Sequence, residues 1–573
     1  MSKKITYSEK PWMKIYDILG LQSKFEYPKI PLFELIDRSA RDYPNSLAAV
    51  YLGREYTYKD LKSFTDRLAT ALVELGVKKG DVVGVNFWNS PQFIIGVYGS
   101  LKTGATVSLF NPLLPLPDLK YGLQKSGAKV IITQDVKLDE ISSIKKETKL
   151  EHIIITSLKD YSADEEPEVR DEKGSIQLRN LINETEPNPP KIEVNPTEDV
   201  ALLFFTGGTT GVPKGVMLTH YNLTTNVIQT FGPTAGIILD VYRGDFSVLG
   251  AIPFSHIYGF TCSMNLALNW AGNLLLVPDP RDSNMIYQLI KKYHPLFAPA
   301  VPTQFMRLAE TKDVDLNELK GSIPFSGSAA LPPEVSKTYE KRAEILVSEG
   351  YGLSETSPVT HVNFVTILKG VGIDIDLPAK LGSIGVPVPD TEVRIVDIET
   401  GTEDVPVGEP GEMIIRGPQV MKGYWPNPGD GLVDGWVYTG DICKMDEDGY
   451  FYVVDRVKDM INVSGYKVYG RVVDDVLYEH PAVSRAAAIG VPDPKRPGSE
   501  RVKVFIRVRE GYTPSKELEE DIIRHCRERL PPYAVPKFVE FRDDLPLTAT
   551  EKIFKRKLRE EEIKKQKAAS QTA

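Results

Sequence analysis

Short runs made almost wholly of apolar, β-branched residues constrain this chain most. DVVGVNFW at 81–88, ATVSLFNP at 105–112, AKVIIT at 128–133 and HIIIT at 152–156 are each too short to be a helix of ordinary length. Each is apolar on both alternating faces, so each needs cover on both sides of a sheet. The stretches between them carry helix signals. In 57–76, Thr57 and Asp60 form a reciprocal cap, Leu68, Leu72 and Leu75 follow at helical spacing, and Gly76 ends the run. Ser90-Pro91 opens another helix by a cap and a first-turn proline, which stops by Gly104. Strands alternating with helices predict parallel sheets covered on both faces, an α/β fold.

The pattern changes along the chain. Residues 1–60 read as a short arm and a first helix near PLFELIDRSARDYP. A polar stretch over about 160–196 reads as an exposed excursion. Strand–helix alternation resumes over 198–360. Between 381 and 455, TEVRIVDIETG, GEMIIRG and GYFYVVDR are separated by Gly and Pro turns, which predicts a β-rich subdomain. From 457 to 558 the pattern is compact α+β, with Leu518, Ile522, Ile523, Cys526 and Leu530 on one helix face. A charged helical tail, 559–573, reads as a solvated end.

Composition narrows the function. The 573 residues carry 69 Lys+Arg and 78 Asp+Glu, a formal charge of −9. That balance argues against a nucleic-acid binder, whose footprint is a basic face. No apolar stretch reaches the roughly 18–20 residues of a membrane span. The first twenty residues lack the apolar core of a secretory signal. The three cysteines, Cys262, Cys443 and Cys526, lie too far apart in sequence to suggest a disulfide framework or a CxxC metal site. A cytoplasmic protein is expected.

The segment with most chemistry is VALLFFTGGTTGVPKGVMLTHYNL, 200–223. An apolar strand runs into Thr206, Gly207, Gly208, Thr209, Thr210 and Gly211, then Lys214. Glycines let a backbone approach a ligand closely. Consecutive N–H groups, three hydroxyls and a lysine make an anion cradle. The loop has neither Walker nor dinucleotide spacing.

This segment resembles the phosphate loop of the adenylate-forming, AMP-binding superfamily. TGGTTG is the version found in bacterial-type long-chain fatty-acid–CoA ligases. LKTGATVSLFNP, ahead of the loop, resembles the superfamily's second core motif, and PFSHIYGF, SGSAAL, YGLSETSP, GEMIIRGPQVMKGYW, WVYTGD, VDRVKDMINVSGYKV and LPLTATEKIFKRKL resemble its later ones, all in order over roughly 30–560. The resemblance implies a lobe over 1–456, holding two parallel α/β subdomains and the β-rich one. It also implies a small mobile α+β domain over 457–573.

The implied chemistry is activation of a carboxylate by ATP to an acyl-adenylate, then transfer to CoA, releasing AMP and pyrophosphate. A carboxylate is a poor electrophile, so positioning and electrostatics should dominate. By the resemblance, Thr206, Gly208, Thr209, Thr210 and Lys214 grip the phosphates. Tyr351, in YGLSE with Gly352, stacks on adenine; without the resemblance it is equally a core tyrosine. Ser354 presents a hydroxyl to the α-phosphate, and Glu355 coordinates Mg²⁺. Gly327, Ser328 and Ala329 form a small-residue wall. Asp441 accepts from the ribose hydroxyls, although locally it reads as a turn residue. Arg456 contacts ribose or phosphate. His256 and Gly259 belong to the acyl pocket, with no proton transfer assigned to His256. Lys552, locally one of several tail lysines, bridges the carboxylate and the α-phosphate. Thr206, Glu355 and Lys552 are the expected catalytic group.

Lys458 falls at the family's pivot between two domain orientations, and Ser464, Gly465 and Tyr466 belong to the CoA side. Three residues depart from the family pattern. Glu551 replaces a glycine beside Lys552. After SGYKV the usual V-Y-P-x-E-[IV]-E becomes VYGRVVDD, so Gly470 replaces Pro and Val472 replaces Glu. Loss of the proline is expected to loosen that turn.

A long- or medium-chain fatty acid is the expected substrate. The alternatives are an aryl- or small-acid–CoA ligase, an acyl-AMP ligase serving a carrier protein, and a catalytically impaired acyl or nucleotide binder. Fatty acids partition into membranes, so a peripheral membrane contact is compatible with the chain. The resemblance is compatible with a homodimer.

Overall fold

The computed structural model describes residues 6–164, 174–206, 213–496, 498–548 and 552–572. Gly208, Thr209, Thr210 and Glu551 lie outside these residues, and of Thr206 only the backbone is described.

Two large sheets form the centre. In one, Ile176–Gln177, His152–Thr156, Val130–Gln134, Val82–Asn86, Thr106–Leu109 and Val200–Thr206 run parallel side by side. In the other, Leu47–Tyr51, Asn273–Leu276, Ser247–Gly250, Phe297–Ala300, Ile323–Ser326 and Ser348–Gly352 run parallel. The apolar runs are buried as expected: Val83, Val85, Ile131, Ile132, Ile154 and Ile155 have no exposed surface. The helix signals also hold. Tyr58–Glu74 starts on the Thr57–Asp60 box, and Pro91–Lys102 starts on Ser90, whose hydroxyl accepts from Phe93 N–H.

Both sheets turn antiparallel at their edges, which the alternation did not reveal. Val200–Thr206 folds straight back on Lys214–Thr219, pairing Thr206 with Lys214. Gly423–Tyr424 then adds to Lys214–Thr219. The strand Ser348–Gly352 is followed by the antiparallel strand Val359–Val362. Two stretches hold more structure than the sequence reading expected. Residues 6–57 contain the helix Met13–Leu19 and the hairpin Leu47–Tyr51/Arg54–Thr57 as well as the helix Glu34–Asp42. The polar excursion ends in the edge strand Ile176–Gln177 and the helix Leu178–Glu184. Their signal was a single apolar turn in a polar stretch, too short to register as a periodicity.

The β-rich segment is a four-stranded antiparallel sheet of Glu392–Val396, Gly411–Arg416, Val437–Met445 and Phe451–Arg456. Its last strand leads through 457–460 into a separate small core. There Val483–Pro492, Glu500–Val508 and Phe538–Phe541 form a sheet covered by the helices Gly470–Tyr478 and Lys516–Arg529. Val473, Leu477, Val504, Ile506, Ile522 and Cys526 are fully buried and pack together in a core that draws on residues from 461 onward. All three cysteines are buried and free. Among the described residues no helix is long and apolar enough to cross a membrane.

This small core carries Lys552 on a loop, so its integrity should govern where that lysine sits. Leu477→Ala removes a fully buried side chain, and a loss of about 2–5 kcal/mol in the stability of the C-terminal core is expected. Urea denaturation followed by amide exchange on residues 461–541 checks it.

Candidate functional site

The site forms at the carboxyl ends of the second sheet, where the strand Ser348–Gly352 faces the four-stranded sheet. Tyr351 ends that strand half-buried. Its hydroxyl donates to Asp441 Oδ2 at 2.6 Å. Arg456 Nε donates to the other oxygen, Oδ1, at 3.0 Å. Asp441 and Arg456 are paired residues on neighbouring strands, so their side chains share one face. Asp441 is only 4% exposed. Each of its oxygens keeps a further lone pair for a ligand donor. Burial, followed by the Asp441 charge, pushes the Tyr351 phenol well above its ordinary range, so it stays a donor.

The turn after Tyr351 depends on glycine. A Cβ on Gly352 would lie 1.8 Å from the Pro358 carbonyl oxygen. That close approach lets residues 353–358 fold back, with Leu353 N–H bonded to the same oxygen at 3.0 Å. Ser354 and Glu355 then sit, half-buried, on a short 3-10 turn.

Glu355 joins the base of the glycine-rich loop through a residue that motif reading passed over. Tyr424 donates its hydroxyl to Glu355 Oε1 at 2.8 Å. The Lys214 ammonium lies 4.6 Å from the centre of the Tyr424 ring, a cation–π contact. Lys214, Tyr424 and Glu355 thus form one group. The signal for Tyr424 lay in the GYW of PQVMKGYW, but only the pairing of Gly423–Tyr424 with Lys214–Thr219 shows where it points.

Lys552 enters from the C-terminal unit. Two bonds to Thr548 hold its backbone: Thr548 N–H donates to the Lys552 carbonyl at 2.7 Å, and Lys552 N–H donates to Thr548 Oγ1 at 3.1 Å. Burial, then the charge of Arg456, pulls its ammonium down from 10.5 to about 8, with Asp441 opposing. Burial, then the Lys552 charge, lowers His256 to about 3. His256 is therefore neutral near pH 7. Its Nδ1 accepts from Tyr258 N–H at 3.3 Å, which leaves Nε2 as the protonated nitrogen. Lys552 thus lies within electrostatic reach of His256 on one side and of the Arg456–Asp441 pair, which Tyr351 joins, on the other.

Beside this group, the small-residue segment is shaped by one aromatic ring. A Cβ on Gly327 would meet the Tyr258 ring at 3.0–3.3 Å. Ser328 holds a left-handed φ of 73°, a strained conformation of the kind concentrated at ligand sites. Among the described residues, the buried hydroxyls of Ser326 and Ser328 find no hydrogen-bond partner. Ala329 is exposed. Gly259 is explained by packing, since a Cβ there would lie 2.6 Å from the carbonyl oxygens of Ile252 and Pro253.

Two further expected groups lie on the C-terminal side: Lys458 feels the charges of Arg456 and Asp441, and the hairpin tip around Ser464 makes no such contact among the described residues. Lys458 sits in the exposed turn after Arg456, and burial and then Arg456 lower its ammonium. Ser464 and Gly465 form the tip of the hairpin Ile461–Val463/Tyr466–Val468, both at left-handed φ. Ser464 N–H donates to Ser499 Oγ at 2.9 Å, and Arg496 donates to Ser464 Oγ at 3.0 Å. Tyr466, 59% exposed, stacks on Tyr533. Among the described residues no hydrogen bond or ion pair joins this tip to the Tyr351–Asp441 group.

Gly470 corrects an expectation. It is buried at the start of the helix Gly470–Tyr478, and its N–H donates to Asp455 Oδ2 at 2.5 Å. The turn is tied rather than loosened, through a donor that proline lacks. Val472 is 42% exposed.

A family model described as "AMP-binding enzyme" matches residues 36–425, and one described as "AMP-binding enzyme C-terminal domain" matches 472–552. The long-chain-fatty-acid–CoA ligase of Bacillus subtilis is 39% identical, covering 97% of this chain and 98% of that one. The enzyme of the same name from Escherichia coli O6:H1 is 35% identical, over 92% and 94%. A feruloyl-CoA synthase from an Amycolatopsis species is 32% identical, over 91% and 97%. Among solved structures, an anthranilate CoA ligase in complex with anthranoyl-AMP superposes with a TM-score of 0.81 at 26% identity, over 95% and 98%.

The Gly352 contact yields a direct test. Gly352→Ala must displace either the strand end or the Pro358 carbonyl, so Tyr351, Ser354 and Glu355 should all move. Calorimetry is expected to show about tenfold or greater loss of nucleotide affinity together with a lowered melting temperature.

Proposed function

The chain belongs to the AMP-binding enzyme family and is an acid–thiol ligase, and from that premise we propose that it converts a long- or medium-chain fatty acid to its CoA thioester, with an acyl-adenylate as the intermediate. The observation that carries the reading is the convergence of Lys552, Arg456, Asp441 and Tyr351 on one point. ATP and CoA are the co-substrates of this family's ligases. The fatty-acid assignment rests on relatives of that name, matched over nearly the whole chain.

Adenylation joins a carboxylate oxygen to the α-phosphorus as the bond to pyrophosphate breaks. Negative charge shifts to the bridging oxygen and the leaving group. Lys214, beside the glycine-rich loop, would meet the leaving pyrophosphate, with Thr206, Gly208, Thr209 and Thr210 of that loop. The ribose would hydrogen-bond to the free lone pairs of Asp441, and the Tyr351 ring would face the adenine. Gly327, Ser328 and Ala329 would border the base, with the Ser328 hydroxyl, which has no partner among the described residues, available as a donor. The Lys552 ammonium would sit between carboxylate and α-phosphate, offsetting charge in a low-dielectric site. His256, neutral, offers Nε2–H to the carboxylate and takes no proton.

Glu355 fits a Mg²⁺ role. It is a half-buried carboxylate, oriented by Tyr424 and close to Lys214. Among the described residues no group of three His, Cys, Asp or Glu forms a protein-only metal cage, and Mg²⁺ typically takes one or two carboxylates plus substrate phosphates. When bound, the ion would neutralise phosphate charge.

The second half-reaction needs the thiol of CoA to reach the acyl carbon. In this reading the unit 457–573 turns about Lys458, withdrawing Lys552 and bringing Ser464, Gly465 and Tyr466 toward the site. A cytoplasmic location, a homodimer and a peripheral contact with the membranes that hold the acid belong to the same reading.

The test is product formation from ATP, CoA and a panel of acids graded from acetate to oleate, with benzoate and ferulate included. AMP and thioester are expected to be greatest with long or medium chains. A preference for the aryl acids, or no product with any fatty acid, overturns the reading. The Lys552 assignment carries a pH signature. Its acting form is the ammonium, which is held below about pH 8 and lost above it. The kcat/KM for adenylation is therefore expected to fall as pH rises through about 8. Lys552→Gln is expected to lower the adenylation rate by ~10²–10³ and to flatten that limb.

A further inference from the structure

The helix Gly470–Tyr478 starts where the C-terminal unit meets the large lobe. Its first two residues both reach across the junction. Gly470 N–H donates to Asp455 Oδ2 at 2.5 Å. Arg471 Nη1 donates to the Val453 carbonyl oxygen. Both acceptors lie on the strand Phe451–Arg456, before the linker 457–460. Both donors lie after it. Among the described elements, this helix against this strand is the principal packing across the linker.

The same carboxylate faces the C-terminal unit a second time. Lys555, three residues beyond Lys552, exerts its charge on Asp455 and pairs with Asp474 Oδ2 at 2.7 Å. A Cβ on residue 470 would stand 3.2 Å from the Ala488 carbonyl oxygen and 3.3 Å from Lys555 Nζ. Residue 470 is thus pressed between the sheet of its own unit and the segment that carries Lys552. Asp455 is 5% exposed; its Oδ1 accepts from Arg456 N–H at 2.8 Å within its own strand, and its Oδ2 is met by Gly470 N–H from across the linker.

We infer that Gly470 and Arg471 are positioning residues for the first half-reaction: they fasten the C-terminal unit to the strand Phe451–Arg456 in the orientation that places Lys552 beside Asp441 and Arg456. The inference rests on the proposed reading of one adenylating and one thioester-forming orientation. A rotation about the linker must break both bonds, because donor and acceptor lie on opposite sides of the pivot. Breaking them strips a buried carboxylate of a backbone donor, which is costly when nothing replaces it. The resting equilibrium is therefore weighted toward adenylation. A proline at 470 would suit the first turn of the helix but has no N–H to give. A hydrogen bond to a charged group shifts such an equilibrium by roughly ten- to hundredfold.

The two half-reactions separate this role from a merely structural one. Fatty-acid-dependent exchange of pyrophosphate into ATP reads adenylation. Single-turnover thioester formation from preformed acyl-adenylate and CoA reads the second step. Gly470→Pro, made in the full chain, is expected to lose roughly ten- to hundredfold in exchange while transfer from the preformed adenylate is kept or raised. Gly470→Ala retains the N–H and adds only the Cβ, so it should lose far less exchange than the proline variant. Arg471→Ala, which deletes the Val453 bond and leaves the Gly470 N–H in place, should lose several-fold in exchange with transfer kept. It carries the test if the proline variant does not fold. Equal losses in both half-reactions, or exchange unchanged in both Gly470→Pro and Arg471→Ala, would overturn the inference. If the unmodified protein shows no exchange with any acid, the functional reading itself falls, a result distinct from a failed latch.

Discussion

The arrangement turns on the buried carboxylate of Asp441. A nearly enclosed carboxylate needs partners, and this one takes a phenol on one oxygen and a guanidinium on the other. Tyr351 arrives from the parallel sheet, and Arg456 from the strand paired with that of Asp441. Satisfying one charge therefore docks the four-stranded sheet against the end of the large one. The same charge partly offsets the cost of placing Lys552 close to Arg456, two cations that would otherwise repel in a dry pocket. Burial first, and that lysine second, keep His256 neutral.

The site is assembled from pieces with separate cores. The C-terminal unit buries its own Val, Leu and Ile side chains, and a short linker joins it to the large lobe. Its position is set by polar contacts: Gly470 and Arg471 on the strand Phe451–Arg456, and Arg559 on Asp459 of the linker itself at 2.7 Å. Hydrogen bonds of this kind are directional and individually modest. A junction held by them can be firm in one orientation and still open, whereas a shared apolar core could not. The two-pose reading proposed above is compatible with that kind of joint.

Much of this was legible in the residues. The apolar β-branched runs announced central strands, and Thr57 with Asp60 and Ser90 with Pro91 marked helix starts that the structure retains. The apolar run before the glycine-rich segment announced the strand Val200–Thr206, and the segment's order with the other motifs pointed to the family that the comparisons match. What was missed shares one cause. The hairpin at 47–57 and the short strand at 176–177 carry few residues, so local pattern was weak and pairing decided them. Tyr424 stood inside a quoted motif, yet its ring reaches Lys214 only because a two-residue strand adds to a sheet edge more than two hundred residues earlier in the chain. Gly470 was read for the freedom a glycine has. Its N–H matters instead, and a donor's value depends on which acceptor stands opposite.

The sequence by itself determined the strands, the helix starts and the kind of ligase, because these depend on side-chain type and spacing within a few residues. Only the tertiary structure decided that Lys552 lies beside Arg456 and Asp441, that Glu355 is steadied by Tyr424, and that Gly470 bonds to Asp455. Those outcomes depend on which distant groups share a low-dielectric space, where burial strengthens every charge and makes each missing partner costly. No local pattern in the chain encodes that proximity.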